Sequence, residues 1–339
     1  KVRCVVGSTL FMTLIGGTIV AAFGVIFAKQ ILLLLGTDPN VMHLSLPYVQ
    51  WMLAGSPLLF VYIIYTSILR GVGDSITPLI ALSLTSAIGL VITPVLIAGY
   101  FGFLKLGIVA PAVATIVGYM AVLLFLAVYL NKRNHPLKPD RALLRQIRHQ
   151  PKLSKIILRL GIPTGIQMVT TSVAGLVIVG LVNRYGSEAT AAYGAVNQVL
   201  NYIQFPALSI AIAASIFAAQ AIGAGKSDLL NKVTRTALGM NVVFTGGLVI
   251  LGYLASKYLM ALFITDPKVV ELGQQLLFIV LWSIVFFGAS AIFASIMRAS
   301  GTVIVPMIIN IVAIILIEVP CAYLFSDWWG LQGIWYAYA

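Results

Sequence analysis

Apolar runs long enough to cross a bilayer recur at about residues 5–35, 46–69, 77–101 and 107–130, and again at 160–183, 190–222, 236–263, 272–297 and 303–325. A hydrocarbon core ~30 Å thick takes about 20 helical residues, so each run predicts one membrane-spanning helix. A further span begins after Gly330. Several runs exceed the required length, and Pro57, Pro94, Pro206 and Pro320 lie inside them, so tilted or kinked helices are expected. The one long polar stretch, Asn131 to Lys155, divides the spans. The predicted class is an all-α polytopic integral membrane protein with an N-terminal lobe at 1–131, a basic loop at 132–155 and a C-terminal lobe at 156–339.

Composition agrees with the pattern. Hydrophobic residues make up 60% of the 339 positions and charged residues 9%, against roughly 25% charged in a soluble domain. The polar stretch carries Lys132, Arg133, Lys138, Arg141, Arg145, Arg148, Lys152 and Lys155 against one acid, Asp140. It cannot enter hydrocarbon and suits an anionic cytoplasmic leaflet. A nucleic-acid patch fits less well, because no aromatic residue is interleaved with the cations. When the connections alternate between sides, sixteen of the 21 Lys and Arg fall on the side of this loop and five on the other. The positive-inside rule makes the first side cytoplasmic. Cys4 and Cys321 lie at opposite ends of the chain and give neither metal spacing nor a disulfide framework.

An internal repeat crosses the loop. LLLGTDPNV (Leu33 to Val41) returns as ALFITDPKV (Ala261 to Val269), and ILRGVGDSITP (Ile68 to Pro78) as IMRASGTVIVP (Ile296 to Pro306), both at an offset of 228 residues. KLGIVAPAVA from Lys105 resembles LQGIWYAYA from Leu331 at an offset of 226, which implies a two-residue deletion. Charged and turn residues held in register argue against chance similarity of greasy segments. An even number of spans per repeat makes the two copies parallel, related by an axis along the membrane normal. The halves balance if two spans precede the chain, for a whole of twelve; no start Met and no cleavage site is visible, and the end falls within a span.

Eight of the nine acids lie in connections or at span ends: Asp38, Asp74, Asp140, Glu188, Asp228, Asp266, Glu271 and Asp327. Glu318 alone falls inside a span, nine residues before Asp327, which puts it ~13 Å from the outer end. An ionisable group there costs roughly 2.5–3.5 kcal/mol on insertion scales or gives up its charge by taking a proton. Glu318 reads either as a structural acid bonded to backbone freed by Pro320, or as the cation-coupling site of a transporter. The second is favoured because no Lys or Arg of the retained spans is placed at its depth. Asn197, Asn201 and Gln204 share a helix face with Tyr193, and Gln167, Thr170 and Thr171 form a weaker stripe on the preceding span. These polar groups either line a cavity or join helices. Phe60, Tyr62, Tyr65, Trp282, Phe286 and Phe287 offer rings for a flat cation, although packing and lipid contact are the commoner uses.

Several motifs together resemble the multidrug and toxic compound extrusion (MATE) transporters: LRGVGDSITP from Leu69, LGIP from Leu160, NRYGSEATAAYG from Asn183, FAAQAIGAGK from Phe217, and VPCAYLF with GLQGIW from Val319 to Trp335. The resemblance spans essentially the whole chain. It implies two six-helix bundles facing each other in a V around a cavity, without enzymatic chemistry or cofactor. It implies export of amphipathic organic cations in exchange for protons or sodium, by a monomer in the bacterial inner membrane. In family numbering the chain covers the third span to the start of the twelfth. Sodium-using relatives carry acids in the span opened by LGIP and in the tenth, whereas Ile162 to Val182 and Leu276 to Met297 hold none here. Other relatives place Asp before the proline of the fifth span, where Thr93 precedes Pro94. The first span, which holds a coupling Asp in many relatives, is not in the chain; protons through Glu318 are the expected coupling, with sodium left open. A lipid-linked oligosaccharide flippase, which would need basic residues inside its cavity, is the rival reading, together with an inactive fragment. No His, Cys or acid pair is placed for catalysis or metal binding.

Overall fold

The computed structural model describes residues 2–34, 37, 39–102, 105–135, 137–140, 143, 145–147 and 150–339, with the side chains of 39 and 101 excepted. Lys1, Asp38, Arg141, Arg148 and His149 lie outside the described residues.

All regular structure among the described residues is helical. In order, the helices are α1 (Val2–Leu34), α2 (Pro39–Ala54), α3 (Ser56–Gly71), α4 (Ile76–Ala98), α5 (Ala110–Lys132), α6 (Pro151–Asn183), α7 (Ser187–Gly223), α8 (Leu229–Leu254), α9 (Ser256–Ala261), α10 (Pro267–Val280), α11 (Ser283–Ala299), α12 (Ile304–Val312), a π-helical stretch (Ala313–Glu318), α13 (Val319–Trp329) and α14 (Leu331–Tyr338). Among the described residues seven continuous helical segments are long and apolar enough to span, and the bent pairs α2–α3 and α10–α11 bring the count to nine if each pair is one span. These fall where the apolar runs predict them. The protein is a multi-pass, all-helical membrane protein.

The chain forms two compact units, Lys1–Ile157 and Leu158–Ala339. The repeat is visible in the geometry of each. α2–α3 bends by 44° and α10–α11 by 48°, at positions that correspond under the 228-residue offset. The first break comes at Gly55, beside Pro57; the second, at Leu281 and Trp282, has no proline. Side chains cap the carbonyls freed there: Tyr253 Oη donates to Phe278 O at 3.0 Å and Ser283 Oγ to Val280 O at 2.7 Å. By contrast, α4 and α7 run on through Pro94 and Pro206.

The turn after each bent pair is also duplicated. Gly73 has φ 92° and Gly301 φ 86°, a left-handed conformation that costs an L-residue roughly 1–2 kcal/mol. Arg70 donates to Ser67 Oγ at 3.0 Å, and Arg298 to Ser295 Oγ at 3.0 Å. Both arginines therefore shape helix ends.

In the first unit Val6, Leu10, Tyr65, Leu69, Leu126 and Leu130 pack into one core that also takes Leu137 and Leu143 from the basic loop. The described part of the loop is thus folded onto this unit. Tyr65 Oη donates to the Leu137 carbonyl, Arg3 pairs with Asp140 at 3.2 Å, and His135 Nε2 lies 3.9 Å from Asp74 Oδ2. The Asp140 carboxyl is held below its usual range by the Leu143 N–H, against some desolvation, with help from Arg3 and Lys138. Burial would raise Asp74, but hydrogen bonds from Thr77, the nearby His135 and the Ile76 N–H together bring it below the usual range.

In the second unit the core joins Ile178 and Val182 of α6, Val196 and Leu200 of α7, Leu276 and Leu277 of α10, and Trp335 of α14. Asn241 of α8, fully buried, donates to Val285 O of α11 at 2.9 Å and accepts from Thr245 at 3.0 Å. Gly288 makes room for it, since a Cβ there would collide with the Asn241 amide.

Candidate functional site

Glu318 ends the π-helical stretch, two residues before Pro320. Pro320 has no N–H to offer the Leu316 carbonyl, and its ring would press on that carbonyl in an α-helix. The helix widens here, and the Val319 N–H bonds Ile314 O five residues back. Such π turns are rare and are found frequently at functional sites. Under the 226-residue offset, which also pairs Pro320 with Pro94, Glu318 corresponds to Ile92, half-buried in regular α4. One copy therefore carries an aliphatic side chain where the other carries an acid, both half-buried.

Two phenols on other helices lie within electrostatic reach of Glu318, and among the described residues neither is hydrogen-bonded to it. Its carboxyl bears electrostatically on the phenols of Tyr193 on α7 and Tyr338 on α14. Tyr338 Oη donates to Asn197 Oδ1 at 3.1 Å, and Asn197 Nδ2 donates to Tyr193 O at 3.1 Å. The Tyr193 ring stacks on Trp335 with centroids 5.9 Å apart and 4° between planes, and meets Tyr338 edge-on at 5.9 Å. Tyr193 and Trp335 are buried. Among the described residues Glu318 enters no ion pair; the pairs present, Arg3–Asp140 and His135–Asp74, belong to the first unit.

The remaining predicted site residues divide. Asn197 joins α7 to α14, which is the helix-joining reading of that amide. Asn201 is exposed and Gln204 half-buried on the same helix, neither with a hydrogen-bond partner among the described residues. On α6, Thr171 Oγ1 donates to Gln167 O at 3.1 Å and reaches Asn310 Oδ1 of α12 at 3.4 Å. That contact places the Gln167–Thr171 stripe against the helix leading to Glu318. Of the aromatic candidates, Tyr62 stacks on Tyr119 at 5.2 Å and Tyr65 holds the loop, while Trp282, Phe286 and Phe287 are exposed on the apolar surface. They pack or face outward.

Three neighbours are not predicted by the sequence pattern: Asn310, Trp335 and Tyr338. Asn310, an uncharged amide within an apolar span, carried a signal. Trp335 and Tyr338 lie three apart on α14, in the segment too short to count as a span, and nothing in the sequence paired them with Asn197.

A duplicated all-helical membrane fold with an acid inside a widened turn of one span is the architecture of a membrane transporter. The chain belongs to the MatE family, whose pattern it matches over residues 1–95 and 163–324. It is 44% identical over 340 residues to the Probable multidrug resistance protein YoeA of Bacillus subtilis, covering 100% of this chain and 73% of that protein. It is 31% identical over 315 residues to the Probable multidrug resistance protein YpnP of the same organism, covering 92% and 68%. A crystal structure of a MATE protein in complex with MaL6 shares the fold with a TM-score of 0.89, at 20% identity over 99% of this chain and 75% of that one.

Proposed function

We propose that this transporter exports amphipathic organic cations across the bacterial inner membrane in exchange for inward protons, and that Glu318 is where the proton couples. The observation that carries the reading is a half-buried carboxyl in a π-helical turn of a spanning segment, free of ion pairs among the described residues. An acid so placed changes its protonation when its surroundings change, which is what coupling needs. The names of the two relatives support drugs as cargo. The acids at which sodium-using relatives differ are absent from Ile162 to Val182 and Leu276 to Met297, which supports protons over sodium. The basic loop faces the cytoplasm by the positive-inside rule, and a monomer is the working unit.

The driving force is limited. One proton moving down one pH unit supplies ~1.4 kcal/mol, and a one-for-one exchange with a monovalent cation cancels the electrical part. Such an exchanger sustains about a tenfold gradient per pH unit.

The test uses the full-length protein in vesicles, with pH and sodium gradients imposed separately and a quaternary ammonium fluorophore as cargo. Exchange is expected to follow the pH gradient, to vanish in Glu318→Gln and to survive in part in Glu318→Asp, with insertion unchanged. Wild-type exchange in Glu318→Gln removes Glu318 from the mechanism, and exchange driven by sodium alone rejects proton coupling.

A further inference from the structure

We propose that the groove between α7 and α8 is a binding site for an anionic phospholipid, with one acyl chain along the groove and the headgroup phosphate on Lys232. The cavity measures about 500 Å³, within the roughly 300–1,000 Å³ of small-molecule sites. Its floor is cut by small side chains: Ala214 and Ala237 are buried and pack on Ile292 beneath. Its walls are large apolar groups left open, Phe217 at 61% and Met240 at 43% exposed.

The α8 residues that line it run from Leu229 to Met240, a length of ~16 Å at the helical rise, which matches the hydrocarbon depth of one leaflet of a ~30 Å core. The one charged side chain of the lining, Lys232, comes one turn into α8, at the Leu229 end. Lys226 and Arg235 lie near it in the chain and are exposed, with Asp228 the one acid among residues 226–235. An apolar trough with a cationic end has the charge and shape order of an acyl chain under a phosphate.

The same features turn other occupants away. A cationic drug would meet the Lys232 ammonium. A peptide segment would bring backbone N–H and C=O groups against an almost wholly apolar wall, with little to bond them.

The inference is tested on the full-length protein in detergent, by thermal unfolding against added mixed micelles of phosphatidylglycerol or phosphatidylcholine with identical acyl chains. Phosphatidylglycerol is expected to raise the melting temperature saturably and phosphatidylcholine much less. Lys232→Ala should weaken the apparent phosphatidylglycerol affinity about fivefold, the worth of one Lys at an anionic surface. Lys232→Arg should restore it, and Lys257→Ala, beyond the far end of α8, should leave it unchanged. Ala213→Leu, which fills the groove, should reduce the effect of the lipid without touching any charge, and Ser209→Leu serves if that variant does not fold. Equal responses to the two lipids, a wild-type response in Lys232→Ala, or an equal loss in Lys257→Ala each overturns the proposal. None of these readouts depends on which ion or cargo is exchanged.

Discussion

Asn197 shows what a single amide does between helices. It accepts from Tyr338 and also donates to the Tyr193 carbonyl of its own helix, so truncation leaves the Tyr338 phenol short of a partner while that carbonyl keeps its helical bond. Asn197→Ala is expected to lower stability by ~1–3 kcal/mol, the range for an orphaned buried partner. In a double-mutant cycle with Tyr338→Phe, read by thermal unfolding, the two losses should be less than additive. Transport in Asn197→Ala should fall by a common factor for every cargo. A change in which cargoes are exported, at unaltered stability, would instead assign Asn197 to the cavity. The sequence showed that these amides share a helix face; it did not show which one meets a neighbour. Asn197 and Asn201 are one turn apart on α7, and only contact with α14 separates a tied amide from an exposed one.

At the scale of elements, α12, the π stretch and α13 form one span that widens just before Pro320. Restoring an N–H with Pro320→Ala should let the turn tighten toward α geometry. Losing one residue from the widened turn rotates α12 against α13 by ~100°. Glu318 would then turn relative to α13 and away from its present setting beside Tyr193 and Tyr338. The expected result is a fully helical circular dichroism spectrum with exchange reduced and its pH dependence displaced. An unchanged pH profile would show that the widened turn is not part of coupling. Pro320 was legible as a breaker of α geometry, but a kink, a break and a π turn all answer the same missing donor. The bend at Leu281 and Trp282 shows the converse, a break without proline, made tolerable by the Tyr253 and Ser283 hydroxyls.

For the whole molecule, the described loop residues belong to the first unit. Leu137 and Leu143 are buried in its core, and Asp74 and Asp140 tie loop to helix. Both carboxyls lie below their ordinary value of 3.8, so their contribution is complete above that pH and is lost as pH falls through the lower folded values. These two carboxylates should therefore add no pH dependence of their own between pH 8 and pH 5 to proteolysis of the loop in the full-length protein. Leu137→Ala should raise it across that whole range, because a large-to-small change in a core costs ~2–5 kcal/mol at any pH. A cleavage rate indifferent to Leu137→Ala would show that the loop is not held.

Sequence alone determined the class, the positions of the spans, the duplication and the lone acid of the spans. Each rests on properties a one-dimensional string carries: apolar length against bilayer thickness, turn residues in register, and a charge where hydrocarbon penalises it. The tertiary structure decided which phenols lie within reach of that acid, where spans bend without proline, and that the loop is pinned at Leu137 and Leu143. Those are contacts between residues far apart in the chain, such as Asn197 with Tyr338 or Tyr65 with Leu137, and their energies depend on separations that exist only once helices have packed.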